Sequence, residues 1–598
     1  MVEKEERKPD RQVVVIGAGP SGLTAAYELS RQGVSTIVIE KEHLVGGLAR
    51  TEEFRGFLFD MGGHRFFTKN KKVNGFWRDI LKDDFLRRPR LSRIYYKNKY
   101  FNYPPKPLNV LKGLGLLEST AVVLSYLLWQ VKPYPREETF EQWVTNRFGR
   151  RLFKIFFETY TEKVWGIRCS ELRAEWAAQR IKGLTLRTAL LSVVRKPKKK
   201  IKTLVHEFDY PRLGPGMMWN TVKDRIEQFG GSVLMQHDVV EIRRSGNRID
   251  SIVVSYNGKL ESIQGTDFNS SMPITEFIKN LRPPPPPGVL RAAEELKYRD
   301  FLTVCLIVKS RDLFPDNWIY VHDPNVKVGR VQNYKNWSAE MVPDPSKSSL
   351  GLEYFCNEGD DLWTMPDSEL IELGRREVDQ IGLAHYADFE SGCVFRVPKA
   401  YPVYDATYRG HLDTIRDFVD GLENFQTIGR NGLHRYNNQD HAMLTGMLAV
   451  RNLLLAEAND LWSVNTEQGY HEEAEITEEE FIPKVQEELQ HAFLKLDPVA
   501  FGCSMGAVSG LILFLATMVP VIRGGSVVGP HIGLLTQFLP GYTVTFEGSF
   551  IGLIFAMSIG FIGGWFIAIL RNCSVRLYMG LVYRRAERDV LKSQEEYL

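Results

Sequence analysis

The sequence predicts an α/β fold in three parts: a doubly wound parallel sheet, a mixed-sheet and helical region interleaved with it, and a two-helix apolar hairpin near the C-terminal end. Three observations carry this reading. A strand–turn–helix–strand pattern opens the chain. Further strand and helix patterns continue for some 400 residues beyond it. Two long apolar segments without internal charge follow an acidic stretch.

The first pattern is the most specific. Val13–Ile16 is an apolar run that leads into Gly17, Gly19 and Gly22. A helical pattern follows, then a second apolar strand, Thr36–Ile39, closed by Glu40. Each glycine answers a physical need. Gly17 permits a tight turn, Gly19 lets backbone N–H groups approach a pyrophosphate, and Gly22 lets helix and strand pack closely. The positive end of the helix dipole then faces the phosphates. Glu40 stands where a carboxylate would accept the ribose hydroxyls. The order is that of a Rossmann-like dinucleotide site.

Composition narrows the classes. At 598 residues, with 44% hydrophobic and 25% charged residues, the chain is expected to fold into several domains. A net charge of +3 gives no case for nucleic acid. Cys169, Cys305, Cys356, Cys393, Cys503 and Cys573 show no metal-ligand or disulfide-framework spacing. No His pair has zinc-site spacing, so no metal is expected. The first twelve residues are charged and show no secretory signal, so the body is expected to stay in the cytosol.

Downstream, Gly46-Gly47 and Arg50 follow the acidic strand end. Residues 111–131 are mostly apolar and read as a buried helix, with a helix lying on a membrane as the alternative. Lys196–Lys202 is a basic run, either a solvated loop or a contact for acidic lipid or phosphate. Residues 231–256 alternate polar and apolar around a turn at Ser245-Gly246-Asn247, a hairpin signal. The run Pro283–Pro287 reads as a local spacer. The expected organisation is a body over 1–470, an acidic linker and helix over 471–498, and a hairpin with a basic tail over 499–598. Within the body the Rossmann-like core is expected from 11–70, 230–270 and 420–455. The substrate region is expected mainly from 71–225 and 271–419.

Ala500–Ile522 and Phe550–Leu570 are each long enough to cross a bilayer, at about 20 residues per span. Arg571, Arg576, Arg584, Arg585 and Arg588 follow the second, while the intervening loop carries only Arg523 and Glu547. The positive-inside rule predicts a two-pass anchor in the cell membrane, with body and C-terminus cytosolic. Both segments are rich in small residues, which suits a tightly packed pair.

Further motifs point to a family. GGLART and DMGGHRF resemble the flavin-binding pattern of the amine oxidase and protoporphyrinogen oxidase superfamily, which implies FAD as cofactor. By that resemblance Arg50 meets FAD phosphate and the Val239 backbone meets adenine. The segment Ile428–Asp440 closes over the flavin, and the helix starting near Asp440 aims its dipole at the isoalloxazine.

Within the superfamily the chain resembles UDP-galactopyranose mutases over about residues 11–455. Tyr160, Thr161, Lys163, Trp165 and Gly166 match Tyr-Thr-x-Lys-x-Trp-Gly. Leu296, Tyr298 and Arg299 match Leu-x-Tyr-Arg, and Tyr401-Pro402-Val403 matches Tyr-Pro-Val. Gly429, Arg430, Gly432, Arg435, Tyr436 and Asp440 fit the late motif. The resemblance implies that Arg430 contacts the flavin diphosphate and that Tyr401 and Tyr436 bind a substrate diphosphate. Trp165 and Tyr160 would line a sugar–nucleotide pocket. It also implies that reduced flavin N5, not a side chain, is the nucleophile; His64 is a flavin-side candidate. The cofactor set is thus Gly17, Gly19, Gly22, Glu40, Gly46, Gly47, Arg50, Val239, Gly429, Arg430 and Asp440.

The chain departs from the mutase pattern at Phe67, where the family has a second His, and at Leu184, where it has a lid Arg. His434 and Asn438 replace a Tyr and an Asp. The expected activity is therefore a membrane-anchored, mutase-like isomerase acting on a sugar nucleotide or lipid-linked sugar, as in cell-envelope glycan chemistry. NAD(P)H or another donor would reduce the flavin. The alternative is an oxidoreductase of the amine oxidase, desaturase or protoporphyrinogen oxidase type, drawing an apolar substrate from the bilayer.

Overall fold

The computed structural model describes residues 11–174 apart from 104 and 106, then 203–204, 207–465, 473–474, 497–524 and 530–595. The basic run 196–202, Leu184, and the acidic stretch apart from Glu473 and Ala474 lie outside the described residues. The chain divides into two compact units, 1–475 and 476–598.

The first unit starts with β1 (Gln12–Ile16), α1 (Pro20–Ser30) and β2 (Ser35–Ile39). They belong to a five-stranded sheet in which every pairing is parallel. Its order is Ser232–Leu234, β2, β1, Asp267–Ser270, Phe425–Thr427. Strands from four separate stretches of chain thus make one sheet. Alternation along β1 serves two cores: Val13 and Val15 enter the one under α1, while Val14 and Ile16 enter the one on the opposite face. Both faces are covered, which is why β1 is apolar throughout.

Next to this sheet, β3 (Asp238–Ser245) pairs antiparallel with Arg248–Tyr256. Ser245 faces Arg248, so Gly246 and Asn247 form the turn, and Gly246 takes the positive φ of +62° that a two-residue hairpin requires. The proline run links the short strand Leu281–Arg282 to a helix that begins at Pro287. It is a local spacer.

The largest sheet contains β4 (Tyr298–Val308), β5 (Trp318–Val321), β6 (Arg330–Asn333), β7 (Ser348–Cys356) and β8 (Phe389–Pro402). Its order is β8-β4-β7-β6-β5, then Ser92–Tyr96 and Lys99–Asn102. Only the pairing of β5 with Ser92–Tyr96 is parallel, so the sheet is mixed.

The helical part of this region includes α2 (Leu116–Val131), a π-helical turn at Lys154–Glu158, and α3 (Thr159–Trp165). The expectation of a buried helix over 111–131 is overturned. The segment breaks at Gly115, and α2 leaves Leu117, Leu124, Leu127, Leu128 and Val131 exposed. Most of its polar residues face the body instead, because Glu118 and Gln130 find partners there in Arg151 and Asn146.

Beyond α4 (Gln439–Leu455) the second unit holds α5 (Pro498–Arg523) and α6 (Phe546–Glu595). Residues 498–523 and 546–574 are long and apolar enough to cross a membrane. The two helices pack through small residues. Gly502, Gly506 and Gly510 recur every fourth residue and meet Phe561, Met557 and Leu553. A Cβ on Gly506 would lie 2.7 Å from the Met557 carbonyl oxygen, so the close approach needs glycine there. Thr517 Oγ1 and Tyr542 Oη share a buried hydrogen bond of 2.6 Å.

Candidate functional site

A cavity of about 910 Å³ runs from the β1–α1 turn to the large mixed sheet. That is near the upper end of the usual range for small-molecule sites, roughly 300–1,000 Å³. The turn explains its first wall. Gly17 has φ +97°, and a Cβ on Gly22 would lie 1.9 Å from the Gly17 carbonyl oxygen. Gly19, by contrast, lines the cavity, and a Cβ built on it would meet nothing within 4 Å. Gly19 is also the N-cap of α1, and no side chain caps that helix. Its first N–H groups therefore look into a space open enough for an anion.

Glu40 lines the same cavity and is buried. Its carboxylate accepts from the backbone N–H of Ala18 at 2.7 Å and of Glu42 at 2.9 Å. Those two donors fix its direction, and each oxygen keeps a further lone pair. Burial pushes its pKa up, with the two N–H donors opposing. Gly46 donates its N–H to the Ala18 carbonyl, and Gly47 approaches Gly19, so the second glycine pair braces the first turn. Arg50 donates to Glu52 at 2.7 Å and to the Gly47 carbonyl at 3.2 Å while lining the cavity. Val239 lines it too, at a β-bulge in β3.

The late motif closes the cavity from above. Gly429 (φ +81°) donates its N–H to Thr445 Oγ1 at 2.9 Å and packs against Ser21. Gly22, Gly46, Gly429 and Asp440 support the walls without lining the cavity. Asp440 is the second residue of α4, 3.4 Å from His441 Nδ1. Asn438, Gln439, His441 and Ala442, at the α4 N-terminus, do line it. His64 lines it as well, donating from Nε2 to the Met61 carbonyl at 2.9 Å. Burial, aided by the nearby Arg430 charge, pushes His64 down to about 4, so it is a neutral donor at neutral pH.

At the far end, α3 and β8 bring the other predicted residues together. Tyr160, Trp165, Tyr401 and Tyr436 all line the cavity. Tyr401 and Tyr436 stack at 5.6 Å, and Trp165 meets both at 6.3 and 6.4 Å. Arg430 lies 4.2 Å from the Tyr436 ring and 4.8 Å from that of Tyr401. Its buried Nε has no protein hydrogen-bond partner, as expected of a guanidinium that faces an anion. The residues around the uncapped turn, together with this orphaned donor, fit FAD with a second anion-binding pocket beside it. Departure sites also appear here: Phe67 lines the cavity, and His434 is buried behind it against Tyr298.

Two members of the matched motifs serve the frame. Lys163 donates to the carbonyls of Val321, Asp323 and Val328, and burial pushes it down to about 8. Arg299 donates to the Phe355 carbonyl at 2.9 Å and lies directly beneath Gly166. The π-helical turn just before α3 widens the helix at its entry to the site, a feature frequent at functional positions.

Sequence reading missed several cavity residues. Arg330 Nη2 donates to Tyr401 Oη at 2.6 Å and pairs with Glu353 at 2.5 Å. Burial opposes the charge on Arg330, but Glu353 together with the surrounding Tyr401, Tyr160 and Tyr436 outweighs it and holds the guanidinium protonated. Arg65 packs on Trp318 at 4.2 Å, and His322 stacks on Tyr160 at 4.8 Å. One signal was available: Glu353 is a lone charge inside the otherwise uncharged strand Ser348–Cys356, which demands a partner.

Residues 20–454 match the family model described as flavin containing amine oxidoreductase. The rat pyridine nucleotide-disulfide oxidoreductase domain-containing protein 2 is 30% identical over 141 residues, 22% of this chain and 23% of that protein. A probable UDP-galactopyranose mutase of Klebsiella pneumoniae is 22% identical over 179 residues, 28% of this chain and 44% of that protein. The chain spans less than half the length of these two curated relatives. A crystal structure of reduced UDP-galactopyranose mutase superposes with a TM-score of 0.67 at 20% identity, covering 78% of this chain and all of that one. That likeness establishes the shared fold.

Proposed function

Because the chain belongs to the flavin-containing amine oxidoreductase family and binds FAD, we propose that it is a mutase-like enzyme that works with reduced flavin on a nucleotide-activated or lipid-linked sugar. NAD(P)H or another donor supplies the electrons. The α5–α6 pair anchors it in the membrane with the body cytosolic. Bound reduced flavin supplies an electron-rich nitrogen able to attack an anomeric carbon.

The observation that carries this reading is the cluster of Arg330, Tyr401, Tyr436 and Arg430. The Arg330 guanidinium and two phenols face one pocket, the chemistry that holds a substrate diphosphate, while Arg430, expected at the flavin diphosphate, packs over both phenol rings. Trp165 and Tyr160 offer flat faces for a base or sugar ring. His64, neutral and tied to Met61, positions and does not titrate near neutral pH.

The test is turnover of a panel of UDP-hexoses and lipid-linked sugars by dithionite-reduced enzyme, without oxygen, with products separated by chromatography. Ring isomers formed without net loss of reductant are expected. Failure with every donor overturns the reading.

A second reading, an oxidoreductase on an apolar substrate, draws on the apolar part of the lining. Ile94, Phe140, Phe156, Phe157 and Phe301 line the same cavity. In that case an apolar substrate would bleach the oxidised flavin anaerobically, and prior reduction would abolish turnover.

A further inference from the structure

We infer that α2 is a membrane-docking surface of the first unit, lying in the plane of a lipid bilayer and separate from the two C-terminal helices. This does not rest on the proposed activity. The helix is amphipathic the wrong way round for a soluble protein. Most of its polar residues point at the body, Thr120 being the exposed exception. Glu118 receives two hydrogen bonds from Arg151, at 2.5 and 2.7 Å. Ser125 Oγ accepts the Arg151 N–H at 3.2 Å, and Gln130 donates to the Asn146 carbonyl at 2.8 Å. Ser119, Val122 and Tyr126 are buried beside them.

The outward stripe is Leu117, Leu124, Leu127, Leu128 and Val131, exposed by 89, 54, 53, 70 and 85%. Those spacings place all five on one helical face. Monomeric soluble proteins do not keep such a contiguous patch bare.

Three features select a bilayer as the occupant. The 16-residue helix is about 24 Å long, short of the ~30 Å hydrocarbon core. One of its sides is also held by the polar contacts above, so it can lie on a membrane but not cross it. Basic residues flank the stripe at both ends: Lys112 before it and Lys132 after it, both exposed. That charge suits anionic headgroups on either side of an immersed apolar face. The same chain also carries two helices long and apolar enough to reach a bilayer. In the chain, Tyr103 and Pro105, which line the cavity, precede the helix Pro107–Leu114, and α2 follows that helix after the break at Gly115.

The experiment uses the full chain in nanodiscs of phosphatidylcholine and phosphatidylglycerol, with the exposed Cys503 and Cys573 replaced by serine. Spin labels are placed singly through Leu124→Cys, Leu128→Cys and, as an exposed control, Asp413→Cys. Retained flavin absorbance reports folding. At Leu124 and Leu128 we expect high accessibility to oxygen and several-fold lower accessibility to a nickel chelate than at Asp413. Labels as open to the chelate as the control overturn the inference. So do labels shielded from both reagents, which would mean that a second copy or another protein covers the face.

Discussion

Arg330 Nη2 and Tyr401 Oη lie 2.6 Å apart, and the same guanidinium is paired with Glu353, whose side chain is fully buried. If Tyr401 binds substrate as proposed, the pair couples that binding to stability. Removing one partner of a buried ion pair costs about 3–5 kcal/mol, mostly because the other charge is stranded. Arg330→Met should therefore lower unfolding free energy by about that much in urea titrations. Arg330→Met with Glu353→Gln should recover part of it. A double variant no more stable than Arg330→Met would remove Glu353 from this role.

Gly19 and Gly22 should respond differently to alanine. A Cβ on Gly22 collides with the Gly17 carbonyl, while one on Gly19 enters the cavity without touching protein. Gly19→Ala should leave the melting temperature of the flavin-free protein unchanged and lower flavin retained after gel filtration. Gly22→Ala should lower both. Equal flavin retention in wild type and Gly19→Ala would place the pyrophosphate elsewhere.

Burial holds His64 at about 4 and His322 at about 3, below the ordinary value of 6.5. Both stay neutral in the fold and become charged on unfolding as pH falls below 6.5. Their contribution is thus complete above pH 6.5 and is lost as pH falls toward their folded values. For His64 the span is worth about 3 kcal/mol. Asp60, raised to about 7 by burial, acts in the opposite direction, gaining relative stability as pH falls from 7 toward 3.8. The informative quantity is therefore the difference from His64→Gln. Wild type should lose more stability than this variant between pH 7.5 and pH 5 in denaturant titrations. Parallel curves would count against a buried neutral His64.

In the second unit, Gly506→Leu should separate α5 from α6. The added side chain meets the Met557 carbonyl and Phe561. Helix association in membranes relies on such close packing, with individual contacts worth on the order of 1 kcal/mol. Faster cleavage of the loop by added protease in nanodiscs is expected, whereas Cys503→Ser, at an exposed position, should change nothing.

The sequence by itself determined whatever depends on local pattern. Gly17, Gly19 and Gly22 specify a turn because backbone space is a property of each residue and its near neighbours. The uncharged runs of α5 and α6 specify membrane-compatible helices because length and composition suffice. Motif order also placed Tyr160, Trp165, Tyr401 and Tyr436 in one set, and they line one cavity. Tertiary structure decided what depends on partners distant in the chain. Arg330 looks unremarkable, and the partner that Glu353 demands has no name, until β6 and β7 pair and bury the two together. Lys163 and Arg299, both within recognised motifs, turn out to hold carbonyls of the frame. The orientation of α2 was undecidable from its apolar content, because Arg151 and Asn146, which draw its polar side inward, lie beyond its end. Burial chooses a face only once those partners are in place.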